Sequence, residues 1–214
     1  MQLNILDVIP FREHLTELQA EALQQTTEVR KYKKGEWVHH GNCDCVGILH
    51  VCSGVLRVYM LSPEGKEVTL FRLKQGDFCV LSASCILKVV HFETFLDAET
   101  DAELLQMDTG TFNRLMEENV YVENFVYRTA AARFSDVMQI MEQMLFQPMD
   151  VRLARYLLEQ GPVVRKTQSQ IAQDLGTARE VVSRLLKEFA VRSEVELARG
   201  SVTVTNPASL RAML

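Results

Sequence analysis

Residues Thr167–Lys187 read TQSQIAQDLGTAREVVSRLLK, and this stretch decides the fold. The spacing predicts two short helices joined by a tight turn. Thr167 with Gln170 and Thr177 with Glu180 predict two successive capping boxes, in which the threonine hydroxyl accepts from the amide three residues on and the Gln or Glu reaches back. Leu175-Gly176 ends the first helix, because glycine tolerates the left-handed backbone that a chain reversal needs. Ile171, Leu175, Val182 and Leu185 can then share one small core, leaving the polar face of the second helix outside. On that face stand Arg179, Glu180, Ser183 and Arg184. Arginine offers a bidentate fork to guanine, glutamate accepts from cytosine N4, and serine can bond to a base or a phosphate. The pattern is that of a helix-turn-helix with the recognition helix second. A plain helical hairpin on an enzyme or adaptor surface is the alternative.

Written T-Q-S-Q-I-A-x-x-L-G-x-x-R-E-x-V-S-R-L-L-K, the same residues resemble the DNA-binding helices of the CRP/FNR transcription regulators. The resemblance implies a homodimer on an inverted repeat of double-stranded DNA, with RNA polymerase as a further partner. It places Thr167, Gln168, Ser169 and Arg199 on phosphates and Arg179, Glu180, Ser183 and Arg184 on base edges. E-x-x-S-R at Glu180–Arg184 is similar to FNR-type readers and Arg179-Glu180 to CRP-type ones, which implies a TTGA- or GTGA-like half-site.

Working outward, 214 residues suffice for two modest domains, each with its own core. No stretch has the length of a membrane span, and MQLNILDVIPFREH lacks the basic-then-apolar layout of a signal peptide. A cytoplasmic protein with no membrane partner is expected. The formal charge of -5 is unevenly placed: from Met149 onward 10 Lys and Arg stand against 7 Asp and Glu. A mildly basic reader attached to an acidic sensor is compatible with DNA binding through a local patch.

The expected fold class is α+β, in three parts. Residues 1–110 form an antiparallel, jelly-roll-like β-roll with an N-terminal helix, in which Leu15, Leu18, Ala22 and Leu23 keep helical spacing after Pro10. Short runs rich in Val, Leu, Cys and Phe follow, interrupted by glycines, and Val55–Leu61 and Val68–Leu73 flank the hairpin signal Ser62-Pro63-Glu64-Gly65. K-G-E at Lys34–Glu36, S-G-x-L-R-V-Y at Ser53–Tyr59 and K-Q-G-D-F at Lys74–Phe78 resemble the cyclic-nucleotide-binding-type roll of the same family.

Residues 111–147 hold no glycine or proline and predict one long helix with two apolar stripes. Val126, Ala130, Val137, Ile140 and Met144 read as a dimerisation seam, with Arg133 intruding. Phe125, Thr129, Phe134, Met138, Met141 and Leu145 are expected to face the chain's own roll. Residues 148–214 form a winged helix-turn-helix: Pro148 stops the long helix, Asp150 is placed to cap Val151–Gln160, and strands Glu194–Leu197 and Ser201–Thr205 make the wing around Arg199-Gly200. Ser193-Glu194 stands where the family has a glycine and an apolar residue, so a looser or differently placed turn is expected there.

The family's nucleotide-binding members hold the cyclic phosphate on a helix opened by Gly-Glu and followed by Arg-Ser-Ala. This chain reads Cys79-Val80-Leu81-Ser82-Ala83-Ser84-Cys85 after Gly76-Asp77-Phe78. An apolar site without a cation does not offset the desolvation of a phosphodiester, so the nucleotide site is expected to be lost and cyclic AMP is not the expected cofactor. Cys79 and Cys85 are the effector or redox candidates, and Cys43, Cys45 and Cys52 lie in the same half. Iron–sulfur, haem or redox thiols remain open, with His39, His40, His50 and His91 as further ligand candidates. Buried inert thiols are the plainer reading. No nucleophile–base pair or phosphate loop stands out, so an enzyme has no residues to name. The rival that remains is a cyclic-nucleotide- or small-molecule-binding regulatory module without a DNA role.

Overall fold

The computed structural model of the chain describes residues 4–40, 46–80 and 93–214. Cys43, Cys45, Cys85 and His91 therefore lie outside the described residues. The chain forms two compact units, one of residues up to Met60 with Leu70–Val137, the other of Leu61–Thr69 with Met138–Leu214.

The first unit is the β-roll. After a short helix α1 (Glu17–Gln25), capped by a Thr16/Gln19 box, the chain runs through β1 (Thr27–Tyr32), β2 (Trp37–His40), β3 (Ile48–Ser53), β4 (Leu56–Leu61), β5 (Glu67–Leu73), β6 (Phe78–Cys79), β7 (Phe95–Ala98) and β8 (Ala102–Met107). These form two antiparallel sheets of order β1-β8-β3-β6 and β2-β7-β4-β5. The inner residues of both, among them Ile48, Leu49, Val58, Leu96, Leu104 and Met107, are at most 1% exposed in one core. Gly47 enters β3 with φ 85°, and a Cβ there would lie 2.0 Å from the Met107 carbonyl oxygen, so only glycine fits. The Ser62–Gly65 turn forms as expected, with the Gly65 amide donating to the Ser62 carbonyl at 2.9 Å.

The single helix expected over 111–147 is two helices, α2 (Thr109–Glu118) and α3 (Val120–Phe146). Asn119 breaks it, in an extended conformation at φ -137° and ψ 107°. Its side chain accepts from the Tyr121 amide at 3.0 Å and donates to the His14 carbonyl at 2.8 Å. An asparagine that can bond its own neighbouring backbone competes with the helix ladder without any glycine or proline.

The two stripes of α3 are not divided between roll and surface as expected. Val126 is fully buried in the chain's own β-roll core, with Val122 beside it and Phe125 and Ala130 packed against it. Val126 and Ala130 therefore belong to the roll, and Val126 has no surface left for a seam. Exposed residues of α3 include Val120, Tyr127, Phe134, Met138, Met141 and Leu145, 39–66% exposed, with exposed Asn124 and Ala131 completing the row, while Met144 of the expected seam is 40% exposed beside them. The row alternates in steps of four and three, the spacing of a coiled-coil seam.

In the second unit, α4 (Met149–Gln160) follows the two-residue break Gln147-Pro148. It is followed by β9 (Val163–Val164), α5 (Gln168–Leu175), α6 (Arg179–Val191), the wing strands β10 (Val195–Ala198) and β11 (Ser201–Val204), and α7 (Pro207–Arg211). Pro148, not Asp150, occupies the cap position of α4, and Asp150 lies in the first turn, accepting from the Val151 amide. Leu153, Leu157, Ile171, Val182, Leu186 and Phe189 are fully buried in a core of their own.

The turn into the wing is not looser for lacking glycine. Ser193 adopts the left-handed conformation itself at φ 57°, and Glu194, 4% exposed, accepts from Ser209 Oγ at 2.7 Å and from Arg192 Nε at 3.0 Å. A left-handed non-glycine residue costs about 1–2 kcal/mol. Ser193→Gly should therefore stabilise the protein by about 1 kcal/mol and raise its melting temperature by about 2–4 °C, as thermal unfolding can check.

Candidate nucleic-acid interface

The helix pair is built as its residues dictate. Thr167 Oγ1 accepts from the Gln170 amide and Gln170 Oε1 returns to the Thr167 amide, so the first capping box exists. Gly176 closes α5 in the left-handed conformation at φ 62° and ψ 43°. The second box does not form. The Thr177 amide is taken up in the turn, donating to the Ala172 carbonyl, and α6 starts one residue later than expected, with Ala178 at its cap and no side-chain bond. The first amides of α6 thus have no side chain to cap them, and such a helix start attracts anions.

Val182, Leu185 and Leu186 turn inward. The opposite face of α6 carries Arg179, Glu180 and Arg184, all exposed, with half-buried Ser183 between them. These four expected base readers line one open groove, together with Lys187 and Arg192. Arg184 has Glu188 one turn on at 3.9 Å, with 70% of its own side chain still exposed, so that pair is weak. A second cleft collects Thr167, Gln168 and Ser169 at the start of α5 with Arg199 and Gly200 of the wing, and adds Lys166. Every residue expected on the DNA therefore lies in one of two grooves, and Arg179 lines both. Lys166, Lys187 and Arg192 were not singled out by sequence. For Lys187, a position three residues after Arg184 on the same helix face was the available signal.

The back of the pair is held by α4. Arg152 is 7% exposed, and its Nη2 donates to the Leu175 carbonyl at 2.6 Å, beside the turn glycine. Burial lowers its pKa from the usual arginine value, and the guanidinium serves as a cap on the negative end of α5.

Among the sensor candidates, Cys79 is 1% exposed within the β-roll core. Cys52 is half-buried, and its thiol is pushed up by burial first and by Glu103 second, the opposite of what a reactive thiolate needs. His39 and His50 are buried, each with a pKa lowered by burial and a ring Nδ1 without a hydrogen-bond partner among the described residues. The described residues contain no group of three or more His, Cys, Asp or Glu able to hold a metal ion. No helix among them is long and apolar enough to cross a membrane.

Residues 151–213 match the model of the Crp-like helix-turn-helix domain, and residues 29–119 match that of the cyclic nucleotide-binding domain. A solved Crp/Fnr-family structure from Eubacterium rectale ATCC 33656 is 37% identical, with a TM-score of 0.93 over 97% of this chain and 98% of that one. The cAMP-activated global transcriptional regulator CRP of Pasteurella multocida is 22% identical over 170 residues, covering 74% of this chain and 81% of its own length. The HTH-type transcriptional regulator Cmr of Mycobacterium tuberculosis is 25% identical over 193 residues, covering 89% of this chain and 78% of its own.

Proposed function

The chain belongs to the CRP/FNR family of transcription regulators, and from that premise we propose that it is a homodimer reading an inverted repeat, under a signal other than a cyclic nucleotide. The observation that carries the DNA reading is the exposed row Arg179, Glu180, Ser183 and Arg184 on one face of α6. Arg179 and Arg184 supply guanine forks, Glu180 accepts from cytosine, and Ser183 bonds to a base or a phosphate. Thr167, Gln168, Ser169 and Arg199 set the register through phosphates. Lys187 adds to the attraction that salt weakens, whereas Lys166 and Arg192 are ion-paired with Asp174 and Glu194.

A twofold copy is the occupant that suits α3. Its bare row from Val120 to Leu145 keeps heptad spacing over the length of the helix, and a symmetric seam pairs the same apolar positions with one another. On this reading Val137, Ile140 and Met144 flank the row, with Met144 40% exposed at its edge. Two recognition helices related by such an axis meet half-sites about one helical turn apart. RNA polymerase is the partner expected of a regulator bound in this way.

Loss of the nucleotide site is supported by what Arg133 already does. This arginine of α3 pairs with Asp136 at 2.9 Å and with Asp77 at 3.6 Å, and its guanidinium lies over the Phe71 ring at 5.0 Å. A cation already matched by two carboxylates is not held ready for a phosphate. The residues from Leu81 to Cys85 lie outside the described residues. Buried Cys79 is read as a core residue, and the effector is left unnamed.

Selection of bound duplexes from a random library tests the DNA reading. Enrichment of an inverted repeat is expected, and no enrichment, or a lone half-site, contradicts it. For the sensor, millimolar cyclic AMP or cyclic GMP should leave the melting temperature unchanged. Ligand at about 100 times its dissociation constant would add roughly 2.7 kcal/mol to the folded state, so a shift of a few degrees would restore the nucleotide site.

A further inference from the structure

Asp174 is the penultimate residue of α5, two before the turn glycine. A carboxylate near a helix C-terminus opposes the helix dipole, and burying it is costly unless it is paired and hydrogen-bonded. Its side chain is nevertheless 5% exposed. Oδ2 accepts from Tyr156 Oη at 2.6 Å and from Lys166 Nζ at 2.9 Å, and Oδ1 accepts from Thr69 Oγ1 at 2.9 Å. These donors come from α4, from the residue preceding the α5 cap, and from the arm 61–69 that packs with this unit. The turn is tied at two more points. Arg152 holds the Leu175 carbonyl, and a Cβ on Gly176 would lie 2.7 Å from Val68 Cγ2 of the same arm.

None of these residues lines the groove of α6, yet together they fix where α5 ends and hence where α6 begins. Resting on the DNA-reading function above, we propose that Asp174 is the positioning residue of the recognition helix. It acts through the Leu175-Gly176 turn, with Thr69 of the arm 61–69 as one of its donors. Base-edge contacts need bidentate geometry, whereas phosphate contacts tolerate small displacements. A fault at Asp174 should therefore damage specificity and spare general affinity for DNA.

The full-length chain is titrated with the selected repeat and with a random duplex at one salt concentration, and its melting temperature is measured alongside. Asp174→Asn keeps the size but removes the negative charge that Tyr156 and Lys166 donate to, and turns an amide donor toward Thr69. It should bind the repeat about tenfold more weakly or worse, while affinity for the random duplex holds within about twofold or rises with the lost negative charge. Thr69→Val keeps a β-branched residue in its strand and removes only the hydroxyl. It should weaken the repeat by about threefold with the random duplex unchanged. Repeat affinity retained in both variants overturns the proposal, as do equal losses on both duplexes with a lowered melting temperature, which would make Asp174 merely structural. A gain in repeat affinity on Thr69→Val overturns it as well. A wild-type chain that prefers no duplex would instead fail the DNA-reading function, so the two failures are told apart.

Discussion

Phe134→Glu should turn the dimer into a monomer that no longer binds the inverted repeat. Phe134 is 66% exposed in the single chain, at the middle of the row Val120–Leu145 on α3. In the proposed dimer, twofold symmetry would place it beside its own copy or the copy's neighbours, so one substitution acts twice. Each subunit forfeits about 1.5–3 kcal/mol of apolar burial, and each also brings a carboxylate that must be desolvated next to a like charge. A total of about 5 kcal/mol or more raises the dimer dissociation constant by over three orders of magnitude. Sedimentation at micromolar concentration should then show one chain, and the repeat should be bound no better than a random duplex. Val126→Ala makes the contrasting case. Val126 is fully buried in the roll, so its truncation should cost about 1–3 kcal/mol of stability and leave the dimer intact. A dissociated Val126→Ala with an intact Phe134→Glu dimer would return the seam to the other stripe.

Arg184→Ala should cost about 1–3 kcal/mol on the selected repeat, roughly 5- to 150-fold in affinity, and relax base preference at one position of each half-site. The reason is the exposed guanidinium in the groove of α6, which pairs loosely with Glu188 at 3.9 Å. Lys187→Ala, in the same groove, is the control: it should weaken all duplexes alike and reduce the salt slope by about one per chain. Equal losses on specific and random duplexes for Arg184→Ala would sink its role in base reading.

The reading helices were legible because their chemistry is local. Thr167, Gln170 and Gly176 act on backbone groups within a few residues, so a capping box and a left-handed stop can be read from spacing alone. Where α6 begins was less legible. Thr177 and Glu180 have the spacing of a box, but the turn consumes the Thr177 amide first. The break at Asn119 was hidden for a similar reason, since its partners include the carbonyl of His14, remote in sequence.

Val126 was read onto the wrong face of α3 because both stripes are apolar at helical spacing, and periodicity gives the faces of a helix without saying what covers each. Only the packing of Val122 and Val126 into the roll decides that. Ser193 is a case of context overriding preference: bonds from Glu194 to Ser209 and Arg192 sustain a turn that glycine would form with less strain. Asp174 could not have been picked from sequence, because Thr69 lies 105 residues away from it. The sensor was legible only as a departure from a pattern. Cys79 and Val80 both lie in the roll core.

The most direct measurement is a titration of the wild-type chain with the selected inverted repeat and with a random duplex of equal length, across a range of salt, with stoichiometry recorded. Two chains per repeat are expected, with affinity for the repeat about 10³-fold or more above that for the random duplex, and both falling linearly on logarithmic salt axes. One chain per duplex, or equal affinity for both sequences, would contradict a dimeric reader of base sequence.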